Sequence, residues 1–215
     1  MAQHYIHRGL INKNFQENTI KAFKHSFKRK YGIETDIHAT KDHEFICFHD
    51  FTLNRIFKKK RSVKNMEYSK IKKISNQSKK PIPLLKDLLK ISKNKYTLLI
   101  EIKPTFTKKI LQKLLKETSK FSKCVFISFK HKNIYDLLKI KSNTKVGLSF
   151  SPYSSATTII KKSNNKKIDC LILDKFFLKN KNIQDLKIKK YYYTIKTKSE
   201  FNKYRKKNNL IFENL

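Results

Sequence analysis

The sequence has little of several residue types, and each shortage excludes a class of protein. Tryptophan is absent, and 215 residues contain only 3 glycines, 4 prolines and 3 cysteines. Such low glycine and proline contents exclude a collagen-like fibre and a low-complexity disordered chain. Hydrophobic residues make up 39% and charged residues 31%, so we expect a compact soluble fold. The length predicts one domain with a substantial core.

The cysteines are too few and too far apart for a disulfide framework or a zinc finger. Cys47, Cys124 and Cys170 each lie among apolar residues, which predicts buried, reduced thiols. The sequence does not open with a charged leader and an apolar stretch, and no later run approaches the length of a membrane span. These features predict a cytoplasmic protein.

Acidic residues are also scarce, at 16 against 51 Lys and Arg, which gives a formal net charge of +35. Such a surface attracts polyanions, and nucleic acid, anionic lipid headgroups and phosphate-bearing small molecules are all candidates. A second interpretation is compositional. Lys, Asn, Ile, Phe and Tyr are abundant together, as in AT-rich coding sequences, and many of the lysines then form a solvated face.

Apolar runs of strand length alternate with helical stretches, a pattern typical of βα units around a parallel sheet. The eight predicted strands are 4–8, 32–38, 97–103, 125–128, 145–149, 169–174, 190–194 and 210–212. An extra strand, 45–49, follows the polar turn 41–44 and suggests a hairpin. The clearest helical stretches are 19–30, 84–92, 106–118, 134–139 and 199–208.

Eight such strands predict an α/β fold, a compact (β/α)8 TIM barrel that occupies residues 1–215 as a single domain. The chain is short for this fold, so its helices and loops must be minimal. Residues 51–80 are lysine-rich and lack strong periodicity, which predicts a βα loop over one end of the barrel. We find no linker and no internal repeat in the sequence.

Reactive side chains concentrate at the C-terminal ends of the early strands, where a barrel places its active site. Glu34 and Asp36 are two residues apart on one strand and therefore share a face. Glu101 and Lys103 repeat this two-residue spacing at the end of the next barrel strand. The candidate site residues are His7, Arg8, Glu34, Asp36, His49, Glu101 and Lys103.

Three of these candidates are carboxylates, and converging carboxylates repel one another unless a cation lies among them. A ligand set of oxygens alone favours a divalent metal such as Mg²⁺ or Ca²⁺ over zinc. The alternative is that each acid pairs with a surface lysine. Glu34, Asp36 and Glu101 interrupt apolar strands, where an unpaired charge is costly, and this favours the metal site.

A series of short motifs runs through the first half of the chain in a fixed order. They are His7-Arg8-Gly9, Glu17-Asn18-Thr19, Glu34-Thr35-Asp36-Ile37, Thr40-Lys41-Asp42, His49-Asp50, Leu53-x-Arg55, Ile82-Pro83-x-Leu85 and Glu101-Ile102-Lys103. In this order and spacing the sequence resembles the glycerophosphodiester phosphodiesterase family. Beyond residue 106 only Ser128-Phe129 and the strand rhythm support the resemblance.

The resemblance implies a metal-dependent barrel hydrolase that converts glycerophosphodiesters to sn-glycerol 3-phosphate and an alcohol such as choline, ethanolamine or glycerol. It also implies a role for each candidate residue. His7 and His49 are the acid/base pair. The metal ligands are Glu34, Asp36 and Glu101, and the phosphate is bound by Arg8 and Lys103.

Two segments depart from the family pattern. Tyr193-Thr194-Ile195-Lys196 replaces a common Trp-Thr-Val-Asn strand, and the Thr-Asp-x-Pro end is not present at residues 212–215. These departures bear on substrate fit more than on chemistry. Tyr192 or Tyr193 could take the place of the missing aromatic residue.

Several further polar residues have two interpretations. Asp50 and Arg55 match the family pattern, but a loop-bracing ion pair explains them equally well. Glu17 and Asn18 could cap the helix near Thr19. His38 shares a face with Glu34 and could border the site. The remaining histidines are predicted to be surface or packing residues, namely His4, His25, His43 and His131.

Two alternative functions stay open. A related barrel enzyme with lysophospholipase D-like activity would be drawn to an anionic membrane surface by its basic charge, and an apolar rim beside the mouth would favour it. A basic nucleic-acid-binding protein with a vestigial barrel site is the second. The sequence contains no aromatic-basic stacking motif, so no specific nucleic acid is expected. Nothing in the sequence indicates an oligomeric state.

Overall fold

Parallel strands close into a barrel at the centre of the protein. The structure is a computed structural model that describes residues 2–12, 15–213 and 215. Within these residues the strands are β1 (His4–His7), β2 (Gly32–Ala39), β3 (Phe45–Cys47), β4 (Leu98–Ile102), β5 (Cys124–Ser128), β6 (Val146–Phe150), β7 (Cys170–Asp174), β8 (Lys189–Ile195) and β9 (Asn209–Phe212). The sheet order is β1-β9-β8-β7-β6-β5-β4-β2, and the pairing of β1 with β2 closes the ring. Strand β3 pairs antiparallel with β2 outside the ring, which confirms the predicted hairpin.

Helices surround this ring and form its outer layer. Along the described chain they are α1 (Ile20–Lys28), α2 (Asn54–Phe57), α3 (Tyr68–Gln77), α4 (Leu85–Ser92), α5 (Lys108–Glu117), α6 (His131–Ile140), α7 (Ala156–Ser163), α8 (Lys181–Gln184) and α9 (Lys198–Tyr204). In α5 the apolar residues Ile110, Leu111 and Leu114 share one face and are buried against the barrel. The prediction of a (β/α)8 TIM barrel is confirmed.

The barrel interior is apolar in its lower part. Tyr5, Leu99, Ile127 and Ile172 come from different strands and pack into one buried cluster. A Cβ atom on Gly32 would lie 2.6 Å from the Tyr5 ring, so glycine at this position leaves room for that ring. Because side chains alternate along a strand, the next inward positions lie two residues further on, in a layer above this cluster and nearer the C-terminal ends. Those positions carry the polar candidates.

The prediction for residues 51–80 is wrong in one respect, since the segment contains α2 and α3 rather than a loop alone. It also has a small core of its own in which Leu53, Val63 and Ile71 are fully buried. The helical period of α3 is hard to see in the sequence, because Ile71 and Ser75 form its buried positions among lysines. The helices α7 and α8 were not predicted either. They bury Ile159 and Ile183, too few apolar side chains for a visible pattern.

All three cysteines are buried free thiols, which confirms the sequence interpretation. Burial raises the pKa of Cys124 and of Cys170 to about 12, so both stay protonated at neutral pH. Over the described residues, the helices are too short or too polar for any of them to cross a membrane.

The small core beneath residues 51–80 should contribute measurably to stability. Replacement of fully buried Ile71 by alanine removes packed methyl groups and leaves a cavity, so we expect the free energy of unfolding to fall by about 2–5 kcal/mol. Ile74→Ala on the same helix is the matched control, since Ile74 is only partly buried, and it should cost much less. Denaturant unfolding followed by circular dichroism measures both. Equal losses for the two variants would contradict this account of the segment.

Candidate active site

The strand ends bring all seven candidate residues to one mouth of the barrel. Six of them line a cavity of about 200 Å³, namely His7, Arg8, Glu34, His49, Glu101 and Lys103. The seventh, Asp36, lies below the cavity and contacts both Arg8 and Lys103. Strand register explains the convergence, because His7 is opposite Glu34 and Asp36 is opposite Glu101 in neighbouring parallel strands.

Three carboxylates form the floor of this mouth. Glu34, Asp36 and Glu101 are 3%, 1% and 8% exposed, and each offers an oxygen that lies within 4.8 Å of the other two. Burial raises the pKa of Glu34 well above its usual range, and the charges of Asp36 and Glu101 add to this effect. Burial also raises the pKa of Glu101 to about 7, again with the help of Asp36. The cluster therefore resists full ionisation by itself.

The oxygens of this cluster fit a divalent cation. Both carboxylate oxygens of Glu34 and the Oδ1 atom of Asp36 are buried without a hydrogen-bond partner. A buried carboxylate oxygen without a partner is costly, and a hard cation with oxygen ligands removes that cost. Glu34, Asp36 and Glu101 are thus the residues that could hold a metal ion.

Two cationic side chains border the cluster. The Nζ atom of Lys103 lies 2.8 Å from Glu101 Oε1 and 3.4 Å from Asp36 Oδ1, and Arg8 Nε lies 3.0 Å from Asp36 Oδ2. Burial opposes the charge on Lys103, but Asp36 and Glu101 outweigh it and raise the lysine pKa. Burial likewise opposes ionisation of Asp36, but Arg8 and Lys103 lower its pKa to about 2. Both cations therefore remain charged at the mouth.

A carboxylate holds each candidate histidine at its Nδ1 atom. For His49 the partner is Asp50, whose Oδ1 atom lies 2.7 Å away, and for His7 it is Glu213 Oε1 at 2.6 Å. An ionised carboxylate can only accept a hydrogen bond, so the neutral imidazole carries its hydrogen on Nδ1 and keeps Nε2 free for chemistry. The Nε2 atom of His7 lies 3.7 Å from Glu34 Oε2, next to the carboxylate cluster.

The Asp50–Arg55 pair braces His49 through a longer network. Arg55 donates from Nε to Asp50 Oδ2 at 2.6 Å and from Nη2 to Glu17 Oε1 at 2.5 Å. Glu17 also accepts from Arg8 Nη1 at 3.3 Å. The loop after β3 is thereby tied to the loop after β1. Burial lowers the pKa of His49, with Asp36 opposing the effect, so the ring is neutral near pH 7.

Glu213 is the main contact that the sequence analysis missed. It follows β9 two residues after the inward-facing Ile211, so the alternation of strand side chains places it at the mouth. The alternation along the last strand was the signal that could have found Glu213.

Asn18 does not cap a helix. Thr19 is the N-cap of α1, and its Oγ1 atom accepts from the Ala22 amide at 3.3 Å. Buried Asn18 instead donates from Nδ2 to Asp36 Oδ2 at 3.2 Å and accepts from Thr35 Oγ1 at 2.7 Å. It therefore orients one of the three carboxylates.

His38 and Tyr193 lie close to the site, whereas Tyr192 does not. His38 lies behind His49 and donates from Nε2 to the His49 carbonyl at 3.1 Å, and burial lowers its pKa to about 4. Tyr193 lines the cavity and donates to the Phe150 carbonyl at 2.8 Å. Tyr192 instead belongs to the outer core, where its hydroxyl accepts from Gln184 at 2.6 Å.

Fold and site together define a TIM-barrel protein with a carboxylate, histidine and cation centre at the C-terminal ends of its strands. Within that class, the sequence model of the glycerophosphoryl diester phosphodiesterase family matches residues 7–210. The chain belongs to this family.

Curated relatives agree with that assignment. A glycerophosphodiester phosphodiesterase of Caldanaerobacter subterraneus subsp. tengcongensis is 32% identical over 159 residues, which cover 67% of this chain and 65% of that protein. One from Bacillus altitudinis is 32% identical over 110 residues, 47% of this chain and 44% of the relative. The chain thus matches less than two thirds of the length of these relatives.

The solved structures share the fold at lower identity. The glycerophosphodiester phosphodiesterase of Thermotoga maritima is 20% identical with a TM-score of 0.83, over 99% of this chain and 94% of that one. A phosphodiesterase of Oleispira antarctica, solved in complex with the product sn-glycerol-3-phosphate, is 18% identical with a TM-score of 0.84, over 99% and 92%.

The raised pKa of Glu101 predicts a pH dependence of stability in the metal-free protein. Between about pH 5 and pH 7 the folded chain binds a proton that the unfolded chain has lost. The free energy of unfolding therefore falls as the pH rises toward about 7, where Glu101 loses this proton in the folded chain too. In chelator, the melting temperature of the parent should therefore fall relative to that of Glu101→Gln over this range.

The comparison needs a matched control in which a carboxylate outside the cluster is replaced. Glu44→Gln serves, since hydrogen bonds from Lys113 and Lys86 outweigh burial and lower the pKa of Glu44. Its stabilising effect is lost only at lower pH, so the parent and this variant should run parallel. Parallel curves for the parent and Glu101→Gln would contradict the raised pKa.

Proposed function

We propose that the protein hydrolyses glycerophosphodiesters to sn-glycerol 3-phosphate and an alcohol, in a reaction that requires a divalent metal ion. Family membership supports this proposal, as does the product bound in the Oleispira antarctica structure. The observation that carries it is the arrangement of the mouth. Two histidines, each held at Nδ1 by its own carboxylate, face one small cavity that is lined by two cations and by two of the three clustered carboxylates.

Arg8 and Lys103 are the phosphate-binding groups in this proposal. A phosphodiester resists attack because its anionic oxygens repel nucleophiles, so the site must supply positive charge. A divalent cation held by Glu34, Asp36 and Glu101 would add to that charge and polarise the phosphate. Because all three ligands are oxygens, Mg²⁺ or Ca²⁺ suits the cluster. Such an ion would also offset the acids that now engage the two cationic side chains.

Proton transfer falls to His7 and His49. One imidazole accepts a proton at Nε2 from the attacking hydroxyl, and the other, protonated, donates one to the leaving alkoxide. Glu213 and Asp50 position the two rings and favour the required tautomer. The attacking hydroxyl is that of water or the substrate's own glycerol 2-hydroxyl. The second route gives a cyclic phosphate that water then opens, and phosphorus NMR during turnover distinguishes the two.

Metal dependence can be tested by binding as well as by activity. Release of glycerol 3-phosphate from a panel of glycerophosphodiesters should stop in excess chelator and return with Mg²⁺, Ca²⁺ or Mn²⁺. Glu34→Gln, Asp36→Asn and Glu101→Gln should each weaken metal binding in calorimetry, because each removes a charged ligand. Glu44→Gln is the control, because Glu44 pairs with Lys86 and Lys113 and does not belong to the cluster. Full activity in chelator, or parent-like affinity in all three variants, would overturn the metal assignment.

The two histidines should be indispensable in different steps. His7→Ala and His49→Ala should each lower kcat by ~10²–10⁴-fold with little effect on folding, whereas His25→Ala should retain the parent rate. A nitrophenyl diester has an acidic leaving alcohol and needs little proton donation. It should therefore rescue only the variant that lacks the general acid. Near-parent turnover of natural diesters by both site variants would contradict the catalytic assignment.

A further inference from the structure

Large apolar side chains reach solvent at a single end of the barrel. Among the residues that the structure describes, the exposed ones are Phe51, Phe129, Tyr153 and Phe176, at 53%, 39%, 95% and 69% exposure. They lie in the loops that follow β3, β5, β6 and β7, respectively. The loops after β5, β6 and β7 leave the C-terminal ends of barrel strands, and Phe51, two residues after His49, packs edge-on against His38, so all four side chains surround the mouth of the candidate site. We call these four residues the aromatic rim.

The confinement of the rim to one end is not a consequence of composition. The sequence contains 16 phenylalanines and 10 tyrosines, and the others are buried or partly buried. Scattered single apolar residues on a surface need no explanation, but several that share one face of a soluble domain indicate an interaction site. The rim also joins the cavity, since Phe129 lines it and packs edge-on against Tyr193 with ring centroids 5.9 Å apart.

Positive charge lies beside the rim. Residues 58–61 are Lys-Lys-Lys-Arg, and all four are exposed. Backbone hydrogen bonds from Leu53 to the Arg61 carbonyl and from Val63 to the Phe51 carbonyl, both 3.0 Å, fold this run back beside Phe51. Exposed Lys130 follows Phe129 directly. The mouth therefore combines aromatic side chains with cations.

This combination matches an anionic bilayer. Aromatic side chains are favoured at the level of lipid headgroups, and clustered Lys and Arg are attracted to anionic lipid. Lysines are exposed at the opposite end of the barrel too, for example Lys166, Lys167 and Lys207. Charge alone thus attracts the protein without orienting it, and the rim supplies the orientation. Loops spaced around a ring of strand ends suit a flat surface better than the linear track of a nucleic-acid strand.

We propose that the aromatic rim and the adjoining basic run dock the mouth of the barrel on an anionic phospholipid bilayer. The candidate site then faces the headgroups, where phosphodiester groups are concentrated. This inference goes beyond the proposed hydrolysis and does not depend on it, because docking requires only the rim and the charge.

Vesicle binding tests the proposal with variants that avoid the candidate site. The full chain is sedimented with vesicles of phosphatidylcholine alone or of phosphatidylcholine with phosphatidylglycerol. The parent should bind the anionic vesicles at least ~10-fold more tightly, and salt should weaken this binding. Tyr153→Ser combined with Phe176→Ser should weaken binding several-fold at unchanged charge.

Two charge variants separate orientation from simple attraction. Lys58→Gln, Lys59→Gln and Lys60→Gln together remove three charges beside the rim. Lys166→Gln, Lys167→Gln and Lys207→Gln remove the same number at the opposite end. The first triple variant should weaken vesicle binding by roughly tenfold or more, and the second much less, because attraction falls off within a Debye length of the surface.

Three outcomes of the vesicle assays would overturn the docking proposal. They are equal losses in the two triple variants, parent-like binding of the aromatic double variant, and equal binding of the parent to neutral and anionic vesicles. Filter binding to RNA that exceeds vesicle binding and depends on Tyr153 and Phe176 would also overturn it and assign the rim to nucleic acid. Hydrolysis of a soluble diester without vesicles should be the same in all variants. That assay also separates a failure of docking from a failure of the proposed function.

Discussion

Repulsion among three buried carboxylates is the constraint on which the rest of the mouth depends. Glu34, Asp36 and Glu101 are buried and approach within 4.8 Å of one another, and neither burial nor proximity favours their ionisation. The surrounding side chains make sense as responses to this charge. Arg8 and Lys103 contact the carboxylates, and the Asn18 amide donates to one of them. Oxygens that still lack partners leave a place for a metal ion.

The histidines are held by carboxylates that do not belong to this cluster. Glu213 reaches His7 from the end of the last strand, and Arg55 ties the carboxylate partner of His49 to Glu17 in another loop. Each ring is thus fixed at Nδ1 without using an acid of the cluster. The two functions of the mouth, charge compensation and ring orientation, are carried by separate carboxylates. A cation bound by the cluster would therefore release neither histidine.

The excess of lysine has little influence on the fold. Most lysines are exposed on the outer helices and at both ends of the barrel, where solvent screens them. Lys103 differs, because Asp36 and Glu101 hold it inside the mouth and raise its pKa. Whether a lysine contributes to the site depends on where it lies in the fold, and the amino-acid composition does not reveal this.

The amino-acid sequence by itself determined the barrel and the seven candidate residues, because both follow from local patterns. Apolar runs mark the strands, and two-residue spacing places Glu34 with Asp36 and Glu101 with Lys103 on shared faces. It did not reveal α3, whose short buried face is hidden among lysines. Only the tertiary structure decided that Glu213 meets His7, that Asn18 supports Asp36 and that four exposed aromatic residues share one rim. These contacts join residues far apart in the chain, and only closure of the barrel brings them together.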